Sequence, residues 1–348
     1  MKKLYLLYFA LFISFLISSC ATESAKTEQH DSLAVATKPT SELILAKIVA
    51  NGDFINSEKG LPIITAKEVN AAPQGSLHIL DLRDGEAYSK GHIKGAINVK
   101  PNELLDYIKM VDMSKYEKIV LVCYSGQIAS YSTSVLQTIG YKKAYAMQWG
   151  MAAWNTKLSD KWEHVLSDNL EKELTTKTKS KKAKGKLPEF ETKKANIDDI
   201  LLERAALVLS EGFAFGSVAL EDYVAKKNKF YLINYWEKEL YDLGHLPNAI
   251  QYTPQKSFSL QTDLLTLPTN KVVLIYCYSG HKSAFVAAHL RMLGYNAKSL
   301  KYGTNAFAHS FMLKNPQIGT VFTKAEVNNF PLETSEYIPE EGPKQGGC

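Results

Sequence analysis

Ile119-Val-Leu-Val-Cys-Tyr-Ser-Gly126 and Val273-Leu-Ile-Tyr-Cys-Tyr-Ser-Gly280 decide the fold of this chain. In each, an apolar run ends at a cysteine, small residues turn the chain, and a helical pattern begins at once. Runs rich in β-branched and aromatic residues predict buried strands. Each cysteine therefore sits at the carboxyl end of a strand, facing the first turn of a helix. Free backbone N–H groups and the helix dipole favour an anion there. The pattern predicts partly ionised thiols, and hence nucleophiles, at Cys123 and Cys277.

The likeness extends outward from the cysteines. The stretch from Asp81 to Asn98 aligns without gaps to that from Asn234 to Gln251, sharing Glu86/Glu239, Tyr88/Tyr241, Gly91/Gly244, His92/His245, Ala96/Ala249 and Ile97/Ile250. Gly140-Tyr141 matches Gly294-Tyr295, and Trp149-Gly150 matches Tyr302-Gly303. A period this long is not a solenoid but two copies of one domain. Each copy opens with a helical pattern, Glu42 to Asn51 and Ile197 to Glu211, the second capped by Asn196 and stopped at Gly212. Apolar runs at Leu77–Leu82, Ile119–Val122, Phe230–Ile233 and Val272–Tyr276 read as strands. Gln127–Ile139 and His281–Leu293 read as helices that end at Gly140 and Gly294. Strand–helix alternation predicts an α/β fold: two domains, each with a mostly parallel central sheet flanked by helices. Ligands of such sheets bind beyond the carboxyl ends of the strands, where both cysteines fall.

A length of 348 residues accommodates two ordinary domains. The net charge of +5 is local, since residues 172–186 hold seven lysines against one glutamate. No general nucleic-acid surface follows from it. Lys2 and Lys3 precede an apolar stretch from Leu4 to Ile17 that closes at Ser19-Cys20, the order of an export signal. The segmentation is then residues 1–19 as signal, 20–39 as flexible tether, 40–165 as domain 1, 166–195 as Lys-rich linker, 196–325 as domain 2, and 326–348 as an irregular tail ending in Cys348. No Cys-x-x-Cys or His/Cys spacing matches a structural metal site, and no metal or cofactor is expected.

These residues resemble the rhodanese family. Asp81-Leu-Arg83, with Glu86, Tyr88, Gly91-His92-Ile93, Gly95-Ala96 and Asn98, is close to that family's opening motif. The loop from Cys123 to Gly126 resembles its active-site loop, and Trp149-Gly150 with Trp154 its closing motif. The likeness is sharper in copy 1 than in copy 2. It implies a five-stranded parallel sheet and sulfur transfer through a cysteine persulfide, between a small sulfur donor and a thiol or protein acceptor. The segment ending at Cys20 resembles a bacterial lipoprotein signal. That implies a lipidated Cys20 and an exported, membrane-anchored protein, periplasmic or on the outer surface.

The loop chemistry is readable directly. A thiolate attacks the donor's outer sulfur, and loop N–H groups stabilise the resulting terminal sulfur anion. Candidate substrate-binding residues are Tyr124, Ser125, Gly126, Gln127 and Ile128 in copy 1, and Tyr278, Ser279, Gly280, His281 and Lys282 in copy 2. Asp81 and Arg83 are expected to support the first loop as an ion pair. Copy 2 has Asn234 and Trp236 there instead, but His281 and Lys282 supply cations that Gln127 and Ile128 do not. Anionic-donor turnover is therefore expected at Cys277. His92 and His245 are expected to bond within a turn, and Trp149 and Tyr302 to rim the pocket. Cys348 is a candidate sulfur relay, because its tail has a reach of about 25 Å. The competing reading is a non-catalytic persulfide- or anion-binding module that delivers sulfur. A cysteine phosphatase is disfavoured, since the sixth position after cysteine is Ala129 or Ser283 rather than arginine.

Overall fold

The period-two alternation of the cysteine-bearing strands sets the layers. In the computed structural model, which describes residues 40–337, Ile119 and Leu121 point into one apolar core while Val120 and Val122 point into another. Val273 and Ile275 share the first core, whereas Leu274 and Tyr276 face a third. The inner faces of two sheets thus merge into one core that runs through both domains.

The first sheet contains β1 (Ile63–Ile64), β2 (Leu77–Asp81), β3 (Ile97–Asn98), β4 (Lys118–Val122) and β5 (Ala144–Met147), in the order β1-β5-β4-β2-β3. The second contains β6 (Ser217–Val218), β7 (Phe230–Asn234), β8 (Ile250–Gln251), β9 (Val272–Tyr276) and β10 (Ala297–Leu300), in the order β6-β10-β9-β7-β8. Every pairing is parallel. Register sets Asp81 opposite Val122 and Asn234 opposite Tyr276, so both loops leave the middle of their sheets.

Four helices position the site. They are α1 (Thr40–Ala50), α2 (Gln127–Thr138), α3 (Ile197–Phe215) and α4 (His281–Met292). Helices α2 and α4 follow the two cysteine loops and pack against each other, joining the domains. Almost every residue of both is buried, and Ser134 Oγ donates to the Phe285 carbonyl across the junction at 2.7 Å. Small side chains such as Ser130, Thr133, Ala284 and Ala288 suit this close pairing, in which neither helix has a solvent face. Asn196 caps α3, accepting from Asp198 N at 2.7 Å. Gly212, read as a stop, is where α3 breaks its helical path (φ 65°, ψ 179°) before the chain continues to Phe215.

Two segments differ from expectation. The Lys-rich stretch is exposed but not a free linker. Thr175 exchanges backbone bonds with His245, Gly185 N donates to the Leu265 carbonyl at 2.7 Å, and Lys181 pairs with Asp263 at 3.0 Å. The tail is irregular in form yet belongs to the packing of domain 1. His92 exchanges backbone bonds with Glu333, and Trp154 Nε1 donates to the Pro331 carbonyl at 2.8 Å. Phe322 is buried in that domain's outer core, with Phe330 and Leu332 packed against it. No helix among the described residues is long and apolar enough to cross a membrane. Cys20, the apolar stretch before it, the 20–39 tether and Cys348 lie outside the described residues.

Candidate active site

Both cysteines sit in a curl of backbone amides. Cys277 Sγ accepts from Gly280 N at 3.2 Å and Ser283 N at 3.4 Å. Cys123 Sγ accepts from Gly126 N at 3.1 Å and Ala129 N at 3.4 Å. Gly126 and Gly280 hold φ near +86° and +83°, a left-handed conformation that suits glycine and turns the N–H inward. The closing turns complete the curls from behind. Met151 N donates to the Cys123 carbonyl at 2.8 Å, and Thr304 N to the Cys277 carbonyl at 3.0 Å. A Cβ on Gly150 or Gly303 would strike those same carbonyls, which explains the repeated glycine.

Beneath the sulfurs the copies part. The Cys277 thiol can donate to Ser283 Oγ at 3.6 Å, and that hydroxyl contacts Ser299 Oγ at 2.8 Å. Ala129 offers Cys123 no hydroxyl. Burial pushes the Cys123 thiol up, against the opposing pull of the amides of Ala129, Ser125, Gly126 and Ile128. In this copy desolvation works against the ionised thiol that the sequence predicts, and the amides work for it.

Cys277 borders a cavity at the junction of the two domains. Its volume is about 310 Å3, and Tyr235, Tyr278, Ser279 and Lys282 line it from domain 2. Leu61, Ile63 and Gln148 close it from domain 1. The Lys282 ammonium lies 5.9 Å from the Tyr278 ring centroid, within reach of a cation–π contact in the cavity wall. In copy 1 the equivalent Ile128 packs against the apolar core.

The remaining expected residues sort as follows. Arg83 grips Asp81 through Nε at 2.9 Å and its terminal nitrogen at 2.6 Å, and reaches the Gly91 carbonyl at 2.7 Å; both side chains are buried. The pair braces the strand end against the following turn, and its guanidinium lies 5.7 Å from the Tyr124 ring centroid. Tyr124 spends its hydroxyl on Asp84. In copy 2, Trp236 stacks on Tyr278 (4.8 Å, 27°), so an aromatic pair stands where the guanidinium stood. His92 and His245 bond the carbonyls of Tyr88 and Tyr241 at 2.9 and 2.8 Å and stack on those rings, as structural histidines.

His281 is not the expected substrate cation. Its Nδ1 lies 2.8 Å from Ser279 Oγ, and its Nε2 accepts from Trp149 N at 3.0 Å. Burial lowers its pKa to about 3, so the ring is neutral. His281 nonetheless lines the Cys277 cavity, whereas Gln127 is spent on the domain junction, with Nε2 3.1 Å from Ser125 Oγ and Oε1 accepting from Tyr302 N at 2.7 Å. Trp149 and Tyr302 do not border the cavity. They belong to an aromatic plug between the loops with Trp162 and Phe322.

Sequence reading missed Trp162, whose Nε1 donates to the Ser125 carbonyl at 3.2 Å, and the cavity residues Leu61, Ile63, Gln148 and Tyr235. Trp162 lies outside every repeated motif, and the others become neighbours of Cys277 only through the fold. Among the described residues no group of three or more His, Cys, Asp or Glu is arranged to hold a metal.

Known proteins carry the same pattern. The rhodanese-like domain family matches residues 65–157 and 220–310, together just over half of the chain. A thiosulfate sulfurtransferase (GlpE) of Shewanella oneidensis is 34% identical over 80 residues, covering 23% of this chain and 77% of that protein. The corresponding protein of Pseudomonas fluorescens is 29% identical over 83 residues, covering 24% and 73%. The crystal structure of a Pseudomonas aeruginosa thiosulfate sulfurtransferase aligns at 15% identity over 87% of this chain and 50% of that one, with a TM-score of 0.28. With the family matched in both halves, and a cysteine curled in amides after the central strand of each sheet, this chain belongs to the rhodanese-like family as a tandem protein of two such domains.

Proposed function

We propose that the chain is a sulfurtransferase whose turnover runs through Cys277. The carrying observation is the cavity of about 310 Å3 that ends on Cys277 with Lys282 in its wall. An anionic donor such as thiosulfate enters with its charge toward Lys282. The Cys277 thiolate attacks the outer sulfur. The S–S bond of the donor breaks, its electron pair leaves on sulfite, and a cysteine persulfide forms. Gly280 N and Ser283 N, which hold Sγ, face the charge that develops on the new terminal sulfur. An acceptor thiolate then attacks that outer sulfur and leaves as a persulfide, returning Cys277 as thiolate. The two half-reactions balance without an external oxidant, and the kinetics are ping-pong. Intact mass after thiosulfate treatment should rise by one sulfur atom, mapped by peptide to Cys277. An unlabelled Cys277 under donor excess overturns the proposal.

A different reading suits domain 1. Cys123 is as fully buried as Cys277, burial pushes its thiol up, and Ile128 stands where copy 2 has Lys282. This copy acts as a binding and scaffold domain that supplies Leu61, Ile63 and Gln148 to the Cys277 cavity. Export and lipid attachment at Cys20 belong to the same proposal, supported by the run from Leu4 to Cys20. Metabolic labelling with a fatty-acid analogue that vanishes in Cys20→Ala tests the attachment. The relay at Cys348 is part of the proposal too, and its test is a persulfide that appears on Cys348 only when Cys277 or Cys123 is present.

A further inference from the structure

Gln127 and His281 occupy the same position, four residues after their cysteines, and make the same two bonds with different chemistry. Each spends one atom on its own loop: Gln127 Nε2 on Ser125 Oγ at 3.1 Å, His281 Nδ1 on Ser279 Oγ at 2.8 Å. Each spends the other atom on the opposite domain: Gln127 Oε1 accepts from Tyr302 N at 2.7 Å, and His281 Nε2 accepts from Trp149 N at 3.0 Å. A backbone N–H can only donate, so Nε2 carries no proton and the ring proton sits on Nδ1. A neutral histidine of that tautomer offers one donor and one acceptor, as a carboxamide does.

The contacts reach the sulfur cups themselves. A Cβ on Gly280 would come within 3.0 Å of Gln127 Oε1, and a Cβ on Gly126 within 3.0 Å of His281 Nε2. Those two glycines are the ones whose N–H groups hold Cys277 and Cys123. The tip of each bridging side chain therefore lies against the cup of the cysteine in the other domain.

We propose that Gln127 and His281 are reciprocal positioning residues: the Cys277 cup is set by Gln127 of domain 1, and the Cys123 cup by His281 of domain 2. Gln127, which does not line the Cys277 cavity, acts there without touching the donor. The functional consequence at Cys277 rests on the sulfur-transfer reading above; the bridge itself does not.

The test uses the full chain and four variants, Gln127→Leu, Gln127→His, His281→Leu and His281→Gln. Loading of Cys277 by thiosulfate is followed by mass, and amide exchange is followed at Tyr302, Gly280, Trp149 and Gly126. Gln127→Leu should slow loading of Cys277 at saturating thiosulfate about tenfold, with the half-saturating concentration unchanged, and speed exchange at Tyr302 and Gly280. Gln127→His, which keeps a donor and an acceptor, should restore most of both. His281→Leu should speed exchange at Trp149 and Gly126, with His281→Gln restoring protection. Equal effects of the Leu and His variants at position 127, or exchange altered only within the substituted domain, would overturn the proposal. If Gln127→Leu does not fold, Gln127→Ala reads the same loss with a smaller side chain. If the parent takes up no sulfur, the transfer reading fails by itself, and exchange still decides the bridge.

Discussion

Five residues after Cys123 stands Ile128, packed against the apolar core; five residues after Cys277 stands Lys282, in the wall of a cavity. Two residues after Asp81 stands Arg83, gripping it; two residues after Asn234 stands Trp236, stacked on a loop tyrosine. The backbone curls agree closely, because parallel strands, a left-handed glycine and a following helix impose them. What differs is what reaches the mouth of each curl. On the function proposed above, one fold holds a sulfur atom twice and takes a donor at only one of the two sites.

Substitution at the two cysteines tests that contrast most sharply. Cys277→Ser should cut thiosulfate:thiol turnover by at least about a thousandfold, since it removes the nucleophile, whereas Cys123→Ser should cost less than about twofold. A steady-state assay giving the reverse order would invert the assignment of the two copies.

The bracing difference should appear as stability. Arg83→Met leaves Asp81 as an uncompensated buried charge and should destabilise domain 1 by about 3–5 kcal/mol in denaturant titration. Trp236→Met loses packing but strands no charge, so a smaller loss is expected.

Helix α4 carries His289 where α2 carries Val135. Both ring nitrogens of His289 are buried without a partner, and burial lowers its pKa to about 3. Such a group binds a proton in the unfolded chain below about pH 6.5 but not in the folded one until about pH 3. Stability is therefore full above about pH 6.5 and falls as the pH is lowered toward 3. His281 acts with the same sign. His289→Val, which makes α4 resemble α2, should remove part of this acid loss and stabilise the protein at pH 7 by about 1–3 kcal/mol. Unfolding curves at pH 7 and 4.5 give both numbers, and an unchanged pH slope would refute the account.

The mildest test converts one mouth into the other. Lys282→Ile should raise the half-saturating thiosulfate concentration about tenfold and leave a neutral persulfide donor unaffected. Equal loss with both donors would mean that Lys282 shapes the cavity rather than reads charge.

Much of this was legible in the residues because it is local. The strands at Leu77–Asp81 and Val272–Tyr276, the helices after each cysteine, the cap at Asn196 and the break at Gly212 each follow from a few neighbouring side chains. The amide cups followed too, since a strand, a glycine and a helix N-terminus suffice to build one. The burial that opposes ionisation of Cys123 was not legible, because it depends on what covers the loop. Nor did the roles of His281 and Gln127: their partners, Trp149 and Tyr302, stand in the other domain. Trp162 belongs to no repeat, so comparison of the two copies could not single it out.

The tail segment from Glu326 to Glu333 is a strap tied to domain 1 at Trp149 and Trp154, and it bears on how the molecule comes into being. A polypeptide is made from its amino end, and the first domain meets the ribosome exit long before the strap exists. Until residue 333 has emerged, Trp154 lacks the carbonyl of Pro331 and His92 lacks its backbone partner in Glu333. The half of the protein that is synthesised first is thus among the last to be finished, and a nascent chain that ended between Leu300 and Glu326 would hold the strands of both sheets but no completed first domain.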